Sequence, residues 1–364
     1  MKHLSVSADA VRHNIRLVRQ KAGNTPVYGV VKGNGYGLGA VELAKALRAE
    51  GITRFAVGEL WEAKALRDAG FHSEEILLLR STCCETEIEA ILDLSLVAAL
   101  GSYDAAVVLS GIAERRGAVA EAHIEIDTGM GRYGFLPTET DRVMSVIKYL
   151  PGVAVSGFFT HFYSAFKGQK ATTRQAALFD KVLDDLRAAG FDTGTVHAAN
   201  SSALFRREDL RYNAVRVGSA FAGRMPGHHK HGLRRVSHLE CTVADVRWLP
   251  KGHTVGYSAG YVTRRPTRVA VLPAGWLDGL CVEKARDMYN LQKLFPYVAS
   301  DVWRCIRRRR VTATVNGSPV PVLGHIGMQH TMADVTNLEC KPGDTATLQV
   351  SPSFFNSGMK VVWE

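Results

Sequence analysis

Short aliphatic and β-branched runs recur through the first part of the chain, and each is followed by a stretch with helical spacing. Runs near 27–32, 54–58, 76–79, 96–100, 122–127, 153–159, 194–198 and 214–217 read as strands. Between them, Val41 to Ala49, Trp61 to Ala69 and Thr172 to Ala189 place apolar residues on one helical face. Asp, Ser or Thr often stands where an N-cap is needed. Parallel strands need a connection of helix length, so this alternation points to a parallel sheet covered by helices. Eight such units predict an α/β fold, a (β/α)8 TIM-like barrel; a doubly wound sheet is the structural alternative.

The pattern changes near residue 225. Pro226-Gly227 and the basic segment up to Arg235 read as a linker. Beyond it, strand signals dominate: Leu239 to Leu249, Arg268 to Leu272, Arg310 to Val315, Val320 to Leu323 and Ala346 to Val350. Asn316-Gly317 between two of them is a hairpin signal. The expected division is therefore a barrel over 1–225 and a mainly β domain over 226–364. Residues 282–308 interrupt the second pattern and read as helical.

The 364 residues are 46% apolar and 22% charged, which suits a globular chain with a substantial core. No apolar run reaches membrane-spanning length, and the N-terminus lacks the apolar stretch of a signal peptide. The six cysteines have no CxxC spacing, which argues against a zinc site or disulfide framework and suits a reduced, cytoplasmic protein. The net charge of +10 is partly local, in 227–235 and in Arg304 to Arg310. Such runs are usually solvated loops, so nucleic-acid binding is the lesser reading.

Chemistry gathers at the strand ends. Lys32 closes the first run, and Gly33, Asn34, Gly35, Tyr36 and Gly37 follow it. A lysine at the C-terminal mouth of a barrel strand lies where barrel enzymes keep their sites, and a semi-buried amine can form a Schiff base. Glycines let the backbone approach a bulky cofactor. The fifth run enters a second glycine turn that carries Arg132. The sixth leads to His161, the seventh to Ser201, and the eighth to Arg216, Gly218 and Ser219. The last two form the usual phosphate corner of such barrels, where Ser201 and the amides of Gly218 and Ser219 can cradle a phosphate. Taken singly, several of these are ordinary. His161 sits between Phe159 and Phe162 like a core histidine, and Tyr257 and Met328 read as core or hairpin residues.

In combination, the segments around Lys32, Arg132 and Arg216 resemble the alanine racemase family of pyridoxal-phosphate enzymes. Val255 to Tyr261 and Arg268 to Gly279 resemble its signatures too, and the likeness runs from Lys32 to about Asp334. The resemblance implies a homodimer with shared active sites, acting on an amino acid. Lys32 would hold pyridoxal 5'-phosphate as a Schiff base and serve as one catalytic base. Tyr257 of the partner subunit would be the second base, on the opposite face. Arg216 would face the pyridine nitrogen, and His161 would link Arg216 to Tyr257. Arg132 would hold the substrate carboxylate or the cofactor phenolate, with the amide of Met328 assisting from the other subunit. Tyr36, Ser201, Gly218 and Ser219 would hold the phosphate.

The chain also departs from the family pattern. Glu125 stands where many members have a lysine, carbamylated in some, that positions the arginine at Arg132; Glu125 can pair with Arg132 directly. Gln329 replaces an aspartate, Gly327 a cysteine and Trp276 a tyrosine. The 282–308 segment is an insertion, and no terminal segment with a further phosphate-binding tyrosine is recognisable after Asp344. These changes cluster on the substrate side. The leading expectation is an isomerase that interconverts L- and D-alanine for D-alanine biosynthesis. The alternatives are a racemase or other pyridoxal-phosphate reaction on another amino acid such as serine, and a non-catalytic pyridoxal-phosphate protein.

Overall fold

The computed structural model describes residues 1–225, 231–282, 291–306, 311–351, 353 and 358–364. They fall into two compact units, Ala8–Val236 and Met1–Ser7 with Ser237–Glu364.

The larger unit carries eight strands: β2 (Val27–Val30), β3 (Arg54–Val57), β4 (Glu75–Leu78), β5 (Val97–Leu100), β6 (Ala120–Glu125), β7 (Val153–Phe159), β8 (Thr195–His197) and β9 (Val215–Val217). Strand β1 (Lys2–Val6) belongs to the other unit. All eight are parallel, in the order β8-β7-β6-β5-β4-β3-β2-β9. A bridge between His197 and Ala214 joins the two ends, so the sheet is a nearly closed barrel. The strands are legible as apolar runs because both their faces are covered; β2 and β5 are buried along their whole length. The covering helices follow the 3.6 period. Gln169–Ala188 buries Thr172, Gln175, Ala176, Phe179, Val182, Leu183 and Leu186. One irregularity bears on the interior. The β6–β7 register passes from Ala122 opposite Val155 to His123 opposite Gly157, leaving Ser156 as an extra residue.

The second unit holds a nine-stranded sheet. Its order is Asp245–Leu249, Thr267–Leu272, Thr331–Asp334, Ser318–Leu323, Thr312–Val315, Thr345–Leu348, Ser237–Thr242, β1, Val361–Trp363. Two expectations change here. The division does not fall at 225/226 with residue 1 in the barrel. β1 pairs antiparallel with Ser237–Thr242 and parallel with Val361–Trp363, which draws the N-terminus into the β unit. On the barrel side, buried Asn14 donates to Arg234 O (2.8 Å) and accepts from Arg234 N (2.8 Å), which holds the segment before Ser237. The run Leu239 to Leu249 is also two strands. It breaks at Val243, whose N–H bonds Asp344 O, while Ala244 N–H turns to Val271 O. Asn316 and Gly317 both have positive φ (48° and 78°), as a tight hairpin between these strands requires. Leu291–Ile306 is helical and carries Pro296. The basic residues Arg307 to Arg310 lie outside the described residues.

Candidate active site

Val31 leaves β2 with its N–H on Ala56 O (2.9 Å), and Lys32 follows at the barrel mouth. Gly33, Asn34, Gly35, Tyr36 and Gly37 then all have positive φ, between 51° and 86°. A left-handed turn costs non-glycine residues about 1–2 kcal/mol each, so Asn34 and Tyr36 must be held in it. Asn34 Oδ1 accepts from Ala40 N (2.9 Å), and Asn34 N–H donates to Glu62 Oε1 (2.9 Å). Buried Glu62 also accepts from Gly58 N (2.8 Å) and Glu59 N (3.0 Å). One carboxylate thus clamps the turn after Lys32 to the loop after β3.

Tyr36 emerges from this turn onto Gly218, where any Cβ would overlap the phenol oxygen. Burial, then the charge of Glu62, pushes the phenol up to about 12. It therefore remains a donor at neutral pH. Ser201 opens the helix Ser201–Arg206 after β8, and its Oγ accepts from Gly218 N (3.3 Å) and Ala220 N (3.4 Å). Ser219, half-buried, is the next residue of the same turn.

The loop after β6 is folded by Asp127. Its carboxylate accepts from the amides of Gly129 (2.8 Å), Met130 (2.7 Å) and Gly131 (2.9 Å). Gly134 closes the loop at φ 121°, with Asp127 N only 2.6 Å from where a Cβ would stand. Arg132 projects from it into a cavity of about 350 Å³ shared with Ser81, Cys83, Ser102 and Asp127. Its Nη2 lies 3.7 Å from Oε1 of buried Glu125. Glu125 Oε2 is buried with no hydrogen-bond partner among the described residues. Burial raises this carboxyl to about 7, against the pull of Arg132 and Arg216.

Arg216 is buried in the middle of β9. Its Nη1 lies 2.5 Å from His197 Nδ1 and donates to His197 O (2.7 Å), while Nη2 donates to Thr160 O (2.8 Å). The guanidinium lies 4.9 Å from the Phe159 ring centroid. Burial lowers Arg216 to about 10, so it stays charged at neutral pH. His161 is held down to about 3 by burial, then by the charges of Arg216, Arg132 and Lys32. It is a neutral ring at working pH.

In the barrel unit Lys32 and Tyr36 follow β2, Arg132 follows β6, His161 follows β7, Ser201 follows β8, Arg216 lies in β9, and Gly218 and Ser219 follow it. Tyr257 and Met328 belong to the other unit. Tyr257 sits at the tip of the hairpin Thr254–Val255/Tyr261–Val262 and is 75% exposed. It shares a cavity of about 610 Å³ with Met328, His325, Gln329 and His330. Sequence reasoning missed the partners of Arg216, namely His197, Thr160 and the Phe159 ring, and the clamp made by Glu62. His197 ends β8, and nothing in its local sequence ties it to Arg216.

The family profile described as alanine racemase, N-terminal domain, matches residues 6–226, and the profile for the C-terminal domain matches 236–354. The chain belongs to the alanine racemase family. Among its relatives in this family is the alanine racemase of Carboxydothermus hydrogenoformans, 34% identical over 94% of this chain and 88% of that protein. Another is that of Methylacidiphilum infernorum, 32% identical over 95% of this chain and 82% of the relative. The solved alanine racemase of Bartonella henselae, with covalently bound pyridoxal phosphate, superposes with a TM-score of 0.80 at 25% identity, covering 100% of this chain and 99% of that one.

Proposed function

We propose that this family member is a pyridoxal-phosphate-dependent alanine racemase, a homodimer in which Lys32 and Tyr257 of the partner subunit face one substrate. The observation that supports it is the short turn Lys32–Tyr36, which starts at Lys32 and ends by setting the Tyr36 phenol against Gly218. The donors suit a phosphate. They comprise a phenol held protonated and the hydroxyls of Ser201 and Ser219; Ser201 Oγ accepts from the amides of Gly218 and Ala220 and so keeps its own proton to donate. Relatives above 30% identity over most of both chains are named alanine racemases, which favours alanine over serine as substrate.

When bound, pyridoxal phosphate supplies the conjugated ring that acidifies the Cα–H of an amino acid. Everything else falls to the protein. Lys32 anchors the cofactor covalently and moves a proton on one face. Tyr257 of the partner subunit moves one on the other face, so that removal and return from opposite sides inverts the centre. Each positioned base contributes about 100- to 10,000-fold. Arg216 has five donor hydrogens and uses three on His197 and Thr160, which leaves two, of which a ring nitrogen with its single lone pair would take one. As a lasting cation it solvates that nitrogen without giving up a proton, which limits side reactions. Arg132 takes the substrate carboxylate. Neutral His161 bridges Arg216 toward Tyr257.

Purified protein supplied with pyridoxal phosphate should turn yellow, be fixed in that form by borohydride, and racemise L-alanine faster than L-serine. A protein that stays colourless and leaves L-alanine unchanged would overturn the assignment. Gly218→Ala should weaken pyridoxal phosphate tenfold or more, about 1.4 kcal/mol, because a Cβ displaces the Tyr36 phenol. An absorbance titration with an unchanged Kd would remove Tyr36 from the cradle.

A further inference from the structure

Beneath Arg216 a hydrogen-bonded chain runs into the barrel interior. Arg216 Nη1 meets His197 Nδ1 at 2.5 Å, and His197 Nε2 meets His123 Nδ1 at 2.8 Å. Arg216 is 5% exposed, His197 0% and His123 1%, so no solvent supplies alternative partners. The direction of the chain follows from chemistry. A guanidinium only donates, so His197 Nδ1 must present a lone pair. A neutral His197 then carries its proton on Nε2 and donates it to His123 Nδ1, which leaves the proton of His123 on its own Nε2. Both rings being neutral agrees with burial and the charge of Arg216, which push His123 down to about 3 and His197 well below the ordinary histidine range.

The surroundings fix the rings in this arrangement. Phe159 stacks on His197 (5.1 Å between centroids, 6° between planes), and Tyr28 flanks the same ring at 5.1 Å. The extra residue in β7 sets Gly157 opposite His123, and a Cβ there would come within 2.7 Å of His123 Nε2. Without an acceptor at position 123, the Nε2–H of His197 would be a buried, unsatisfied donor. The other neutral tautomer would aim a proton at Arg216, donor against donor.

We infer that His123 is a positioning residue for Arg216. By accepting the Nε2–H of His197, it holds that ring in the one tautomer that gives Arg216 an acceptor. Its kinetic consequence rests on the proposed racemase reading; the tautomer itself does not.

The test uses the full-length protein with labelled histidine. Long-range proton–nitrogen spectra near neutral pH should show His197 and His123 both neutral and protonated on Nε2, with His197→Asn and His123→Asn giving the assignments. The holoenzyme is then assayed. His123→Leu should lower kcat for L-alanine at least tenfold with KM changed less than threefold. His123→Asn, which keeps an acceptor near the Nδ1 position, should restore kcat to within threefold of wild type. A His197 protonated on Nδ1 or doubly protonated would overturn the inference, and so would an unchanged kcat in His123→Leu. If His123→Leu does not fold, the wild-type spectrum and the His123→Asn rate still decide. A wild-type protein that does not racemise any amino acid would sink the functional reading and leave the tautomer result standing.

Discussion

Tyr257→Phe is expected to leave the protein folded and able to bind pyridoxal phosphate, yet to lower racemisation about 100- to 10,000-fold. The side chain is 75% exposed at a hairpin tip, so loss of its hydroxyl removes little from the fold. A large rate loss would therefore report chemistry. Lys32→Ala should be more severe, because it removes the covalent anchor and the other base together. The two variants separate the faces. Tyr257→Phe should still exchange the α-proton of one enantiomer with deuterated solvent, whereas Lys32→Ala should exchange neither. Combining them tests the shared site. If Tyr257 serves the partner's cofactor, a dimer of one Lys32→Ala chain and one Tyr257→Phe chain has one intact site and one doubly damaged site. Random subunit exchange makes half the dimers hybrid, so mixed inactive variants should recover about one quarter of wild-type activity. No recovery after demonstrated exchange would place Tyr257 and Lys32 of the same chain in one site, or remove Tyr257 from the chemistry.

What the sequence disclosed and what it hid follow one physical division. The eight barrel strands were readable because each is a local apolar run and its helix follows directly; β2 to β9 fall at the expected places. β1 was not readable. Its partners Ser237–Thr242 and Val361–Trp363 lie far along the chain, and a five-residue strand at a terminus carries no signal of where it pairs. The break at Val243 escaped for the same reason, since the Asp344 carbonyl that ends the strand comes from a distant turn. The site divides likewise. Lys32, Arg132 and Arg216 stand in motifs, so their residue types and spacing announce them. The support for Arg216 comes from β6, β7 and β8 together, and only the closed barrel shows that His123 and His197 meet. Glu62 looks like an ordinary first-turn glutamate of Leu60–Asp68. Its role as the clamp on Asn34 appears once the two loops lie side by side.

Glu125→Gln should change both stability and substrate binding with pH, and the signs can be worked out. Glu125 is 2% exposed, has one oxygen without a hydrogen-bond partner among the described residues, and keeps its proton up to about pH 7 where an ordinary glutamate releases it near 4.5. Burial is the main cause; Arg132 and Arg216 pull the other way and Asp127 adds to it. A carboxyl with a raised folded-state value contributes its full stability below the unfolded value, and the contribution is lost as pH rises through the folded value. Wild type should thus lose stability between about pH 4.5 and pH 8 from this group, while glutamine, which does not ionise, should not. The difference should move in the variant's favour by up to about 3 kcal/mol across that window. Urea unfolding of both proteins without cofactor at a series of pH values measures it. Binding should move oppositely. Above pH 7 the wild-type carboxylate orients Arg132, and its loss should raise KM for alanine about tenfold, the effect of roughly 1.4 kcal/mol at a charge-assisted contact. Below pH 6 Glu125 is protonated in wild type as well, so the two KM values should converge. A KM ratio that stays constant from pH 6 to pH 9 would mean that the charge of Glu125 has no part in holding Arg132. In that case the 3.7 Å approach of the two side chains is a consequence of packing alone.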